Sequence, residues 1–264
     1  MAKEFRFTNM NTSYFISFIT AVFIGGTAGY VGSLMATKKM SLVGDVLSHI
    51  ALPGIGLGLL YGVNVSLGAL ASLVLGIMLI WWLSLKTELS MESLVGVVFV
   101  LSLAVGFLVT PEEELLHALF GNISAVAFPD AIAAVFVSII VFIAARMIYS
   151  KMMLAYVSED LALAGGVKIN KYNLIYLFLI AGVVAFGIKV GGTLLTSAMI
   201  IIPAAVARNV SRNMRQYSWL SIIVGATSAV AGFAVFPFLA ERFNLSAVTI
   251  GPVIILASIA FFAV

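Results

Sequence analysis

Apolar residues run along the chain in blocks of about twenty, separated by short polar joins. A membrane-crossing helix needs about 20 such residues, with a range of roughly 17 to 25. By that measure spans are predicted near 13–36, 43–62, 65–86, 91–110, 128–149, 172–190, 192–209, 216–239 and 246–264. The joins at 62–65 and 190–192 are so short that one pair could be re-entrant, which leaves eight or nine spans. The blocks are too long and continuous for barrel strands, whose residues alternate over about 10 positions. The predicted fold is all-α: a polytopic transmembrane helical bundle, one domain over residues 1–264.

Composition excludes the main alternative. Apolar residues make up 62% of the chain and charged residues only 9%. A soluble domain carries about 25% charged residues, so this chain cannot coat a water-soluble globule. Cysteine is absent, which rules out disulfides and thiolate metal sites. The apolar block after MAKEFRFTNMNTS is long and lacks a small-residue cleavage pattern, so it reads as a retained helix rather than a signal peptide.

Charge then orients the bundle. Lys38, Lys39, Lys86, Arg146, Lys151, Lys168, Lys171, Arg208, Arg212 and Arg215 fall on one side, ten of the 14 basic residues. Lys3, Arg6, Lys189 and Arg242 fall on the other, with the acidic run Glu112, Glu113 and Glu114. The positive-inside bias places the ten in the cytoplasm, the amino terminus outside and the carboxyl terminus inside. Lys3 and Arg6 pull weakly the other way. The net charge of +3 reports orientation here, not nucleic-acid binding.

Two joins carry structure of their own. In TPEEELLHALFGNISAVAFPD a surface helix is predicted, with Thr110 as cap, Pro111 at the first position and Gly121 at the end. In AYVSEDLALAGGVKINKY, Ser158 is a cap and Glu159 and Asp160 fill the first turn. Leu161, Ala162, Leu163 and Ala164 follow, and Gly165 and Gly166 stop the helix. This short helix would hold an apolar surface outside the bilayer. It either docks a cytoplasmic partner or packs beneath the bundle, and the pattern allows both.

The candidate chemistry sits in GDVLSHIALPG, residues 44–54. Asp45 and His49 are four apart and share a helix face. Gly54, Gly58 and Gly62 run beside them as a small-residue track that permits close helix contact. An ionisable group at the bilayer centre costs about 2.5–3.5 kcal/mol on insertion scales, less near a helix end. One reading has Asp45 capping the helix or pairing with Lys38 or Lys39, and His49 satisfied internally. The other is a metal-ion path, since imidazole and carboxylate suit zinc and manganese. Two ligands leave such a shell incomplete, and a symmetric dimer would supply two of each. His117, with Glu113 and Glu114 on the same predicted face, is either an ion entrance or a solvated charge run. No GxxxxGK[ST], HExxH, GxSxG or GxGxxG stretch occurs, so any ATP-driven engine is another chain. Ser48 adjoins the pair, but no spacing fixes it as the nucleophile of an intramembrane hydrolase.

These stretches together resemble the permease subunits of ATP-binding-cassette importers for zinc and manganese. The resemblance covers nearly the whole chain. It rests on KKMSLVGDVLSHIALPGIGLG at 38–58, ELLHALFGNISAV at 114–126, SEDLALAGGVKIN at 158–170 and GGTLLTSAMIIIPAAVARNVSRN at 191–213. It implies a prokaryotic inner-membrane subunit without enzymatic activity of its own. The implied partners are a second permease chain, a cytoplasmic ATPase and an extracytoplasmic metal-binding protein. Asp45 and His49 match the positions that hold the ion, and residues 158–166 match the helix that couples to the ATPase. Pro203 lies in the family's IPAA stretch. No tightly bound cofactor is implied; zinc or manganese is the cargo. Many relatives carry Asp where this chain has Asn122, which weakens any cation attraction there. The rival readings are a permease for a metal chelate such as a siderophore or cobalamin, and an ion-coupled secondary transporter.

Overall fold

A computed structural model describes residues 2–37, 40, 43–63, 65–110, 128–243 and 250–262. Among these residues every regular element is a helix. They are α1 (Ala2–Thr37), α2 (Val43–Ile50), α3 (Leu52–Leu60), α4 (Val65–Lys86) and α5 (Met91–Val109), then α6 (Phe128–Val157), α7 (Glu159–Ala164), α8 (Ile169–Val210), α9 (Met214–Phe243) and α10 (Ile250–Phe262). Eight stretches are long and apolar enough to cross a membrane, with α2 and α3 together forming one and α8 supplying two. The ninth predicted block survives as α10, 13 residues spanning about 20 Å at 1.5 Å per residue, short of the roughly 30 Å hydrocarbon core.

Three stretches form the interior. In Tyr14–Thr37, Val43–Leu60 and Gly191–Val210 the most apolar windows are 67%, 61% and 56% buried, against 28–39% in the other five. The outer helices turn Phe107, Leu108, Met147 and Phe238 outward, which costs nothing against lipid tails as apolar as themselves.

Small residues let α1 sit at the centre, against α6, α8 and α9. Gly25 and Gly225 face each other so closely that a Cβ on either would strike the other's carbonyl. Gly29 meets the Ser221 carbonyl and Gly32 that of Ile200 in the same way. Three hydroxyls buried along α1 are satisfied within the helix: Thr20 donates to Ile16 O at 2.8 Å, Ser33 to Tyr30 O at 2.7 Å and Thr37 to Leu34 O at 2.7 Å. Backbone carbonyls thus take the place of water. Between helices, Tyr176 donates to Val31 O at 3.2 Å.

The two short joins resolve differently. At 190–192 the chain breaks at Gly192, whose φ of 78° and ψ of 175° lie outside helical space. Gly187 and Thr196 then approach until a Cβ on Gly187 would lie 2.6 Å from the threonine side chain. In an unbroken helix, nine residues would separate them by about 13.5 Å. At 62–65, Gly62 takes a left-handed φ of 65° and ends α3. The predicted glycine track is therefore divided. Gly54 abuts the Gly68 backbone of α4, Gly58 lies alongside, and Gly62 makes a turn instead of a contact.

Candidate functional site

The site lies just ahead of a proline within one span. Pro53 has no N–H, so the His49 carbonyl loses its ordinary helical donor. Ala51 joins α2 to α3 at φ −70° and ψ −24°, still helical values. The neighbouring Ile50 carbonyl accepts the Ser72 hydroxyl at 2.6 Å. Val43, Gly44, Leu47, Ser48 and Ile50 are buried, with Gly44 packed on Ile200 of α8. Asp45 and His49 occupy the remaining, half-open face, their side chains 41% and 21% exposed.

The imidazole is held through one nitrogen. His49 Nδ1 lies 2.9 Å from the Asp45 carbonyl. A carbonyl only accepts, so Nδ1 carries a hydrogen, and in the neutral ring Nε2 then keeps its lone pair for a ligand. The Asp45 carboxylate is 3.9 Å from Nδ1, and the edge-on Phe99 ring of α5 lies 5.5 Å away at 86°. Ser48 donates to the Asp45 carbonyl at 2.6 Å and lies 3.4 Å from Nδ1. Its oxygen also lies 3.1 Å from Ser197 Oγ of α8, whose single hydrogen goes either to Ser48 or to Thr193 O at 2.9 Å. A hydroxyl contact with α8 thus braces the turn bearing both candidate ligands.

Chemically, the face offers one carboxylate and one imidazole nitrogen. Among the described residues no third His, Asp or Glu joins them. A divalent cation wants four or more ligands, so one chain supplies half a shell. Lys38 and Lys39, the alternative partners of Asp45, lie outside the described residues. So do Glu113, Glu114 and His117 of the predicted entrance, with Gly121 and Asn122.

The predicted inner helix is present as α7. Ser158 caps it, accepting the Leu161 N–H at 3.2 Å. Gly166 N–H bonds Leu163 O and Val167 N–H bonds Ala162 O, each at 2.9 Å, with Gly166 at a left-handed φ of 74°. This is the Schellman closure that glycine permits. Gly165 is an ordinary C-cap at φ −77°. Ala162 is buried, whereas Leu161 and Leu163 are 61% and 56% exposed beside exposed Glu159 and Asp160. The helix therefore rests on its alanine and presents its leucines outward.

Ser197 and Phe99 were absent from the sequence-based site. Ser197 lies within the stretch at 191–213, but no spacing rule ties it to a serine 149 positions earlier.

A many-span helical bundle that opens a carboxylate and an imidazole on an interior span is built as a membrane transport subunit, a permease. Residues 11–264 match the ABC 3 transport family, and the chain belongs to that family. It is 32% identical over 250 residues to the manganese import system permease protein ScaB of Streptococcus gordonii, covering 93% of this chain and 87% of that protein. It is 31% identical over 241 residues to the high-affinity zinc uptake system membrane protein ZnuB of Haemophilus influenzae, covering 89% of each. Among solved structures, PsaBC from Streptococcus pneumoniae in complex with Fab superimposes with a TM-score of 0.77 at 29% identity, covering 94% of this chain and 88% of the other.

Proposed function

We propose that this chain is the membrane-spanning permease subunit of an ATP-driven importer of zinc or manganese, acting as a single transmembrane unit over 1–264. One observation carries the reading. Asp45 and His49 share a half-open face on an interior span, and the imidazole is pinned through Nδ1 with Nε2 free. A buried metal path needs ligands of this kind, oriented in advance by hydrogen bonds behind them. The relatives' names, one for manganese and one for zinc, support the cargo class.

A second copy of the chain would complete the shell, and two carboxylates would offset the dication's charge. Glu113, Glu114 and His117 would meet the ion outside, where an extracytoplasmic binding protein delivers it. The outward leucines of α7, with Ser158 and Gly166 fixing its ends, would seat a cytoplasmic ATPase. ATP hydrolysis there would drive the helices inward. The amino terminus would lie outside the prokaryotic inner membrane and the carboxyl terminus in the cytoplasm.

Uptake of radiolabelled zinc and manganese by cells expressing the assembled transporter tests the reading. Free ion is expected to accumulate, and Asp45→Ala or His49→Ala to abolish accumulation while the subunits still co-purify. Accumulation of the chelate alone would favour the siderophore or cobalamin reading. Uptake by the purified chain in liposomes, driven by an ion gradient, would favour a secondary transporter.

A further inference from the structure

A cleft of about 330 Å³ opens at the end of the bundle where α1 stops, the end from which α2 starts. Its lining includes Thr37 at the end of α1, Tyr156 at the end of α6, Arg208 of α8, and Arg212, Asn213 and Tyr217 around the start of α9. Arg208 Nη1 donates to Ala36 O at 3.4 Å. Among the described residues neither arginine pairs with a carboxylate. Tyr217 is only 3% exposed, yet its hydroxyl has no hydrogen-bond partner among those residues. A buried hydroxyl without a partner is costly, and this one lies in the wall of a cleft that also carries two arginines.

The turn beneath it is stiffened. Gln216 N–H donates to Asn213 Oδ1 at 2.8 Å, and Arg212 N–H donates back to Gln216 Oε1 at 3.0 Å. The cleft thus opens beside the positive end of α9, which favours anions. Two unpaired guanidinium groups, a spare hydroxyl and a helix start together suit a phosphate group.

Position identifies its source. Tyr156, in the cleft wall, is 47% exposed, and amphipathic rings of this kind settle at headgroup depth. Val210 and Met214, 65% and 39% exposed, continue from its rim as apolar surface. Basic pockets between span ends take phospholipid headgroups. We propose that this cleft binds the phosphate of an anionic phospholipid whose acyl chains lie along Val210 and Met214. The proposal rests on the membrane reading and is independent of the metal.

Native mass spectrometry of the purified full chain, titrated with short-chain phosphatidylglycerol, phosphatidylcholine or inorganic phosphate, tests it. Phosphatidylglycerol is expected to bind selectively, and joint Arg208→Gln and Arg212→Gln to weaken it about thirtyfold, the effect of two surface cations. Lys171→Gln, at the same end but outside the cleft, should change nothing. Tyr217→Phe keeps the shape of the side chain and should weaken binding severalfold; it decides the matter alone if the double variant fails to fold. Equal binding of phosphatidylcholine, or undiminished phosphatidylglycerol binding in these variants, would overturn the proposal. Displacement of the lipid by millimolar inorganic phosphate would identify a free anion as the occupant and overturn the lipid assignment.

Discussion

His49 commits Nδ1 to the Asp45 carbonyl at 2.9 Å, and that bond sets what the ring can do for a cation. Only Nε2 remains, and it must be unprotonated to ligate. Under the proposed metal role, His49→Gln, which offers no such nitrogen, should therefore bind metal far more weakly than the parent; a metal-affinity titration checks it. Ser48 acts one step back. It ties the Asp45 carbonyl to Ser197 of α8 at 2.6 and 3.1 Å. Groups that orient ligands from behind contribute about 10–100-fold to metal affinity. Ser48→Ala should lie near the lower end, about tenfold, with the chain still folded and inserted; affinity matching the parent would remove serine from the site. The shared face of Asp45 and His49 was legible in the sequence, because two titratable groups four apart in an apolar run stand out. Ser197 was not, since a hydroxyl that donates to its own helix satisfies itself anywhere in a membrane.

At the scale of elements, local chemistry decided what could be read. The cap and stop of α7 obey short-range rules, so Ser158 and the glycine pair placed the helix correctly at Glu159–Ala164. Which side chains face outward depends on α6 beneath it, and no periodicity in six residues reveals that. The exposed Leu161 and Leu163 now lend weight to docking over simple packing. Leu161→Glu should abolish co-purification of the ATPase, with the permease itself still inserted. Gly166→Ala would place a side chain in the left-handed region at a cost of about 1–2 kcal/mol; it should fray the helix and lower ATPase affinity about tenfold, read by the same pull-down under titration. The joint at 190–192 was visible only as a short gap. Its cause is one residue, Gly192, with a backbone that other residues rarely adopt. The glycine track misled at Gly62, because spacing cannot distinguish a contact glycine from a turn glycine.

The whole molecule depends on α1 running through its middle. Gly25 and Gly225 touch backbone to backbone, so Gly225→Leu should force the helices apart at a cost of about 1–3 kcal/mol, the usual range for overpacking. Thermal unfolding in detergent should register that loss even if the metal pair is untouched. Bundle architecture was legible because lipid demands long apolar runs. How the runs cross was not, since small residues occur on many faces and only packing selects the ones used. The proposed dimer follows from arithmetic at this scale: each chain offers one carboxylate and one imidazole, and a divalent ion needs more. Calorimetric titration of the purified, paired chains with manganese or zinc is the most direct test. The account predicts one ion bound per two chains, and no binding in either Asp45→Ala or His49→Ala. Full binding in both variants would contradict it.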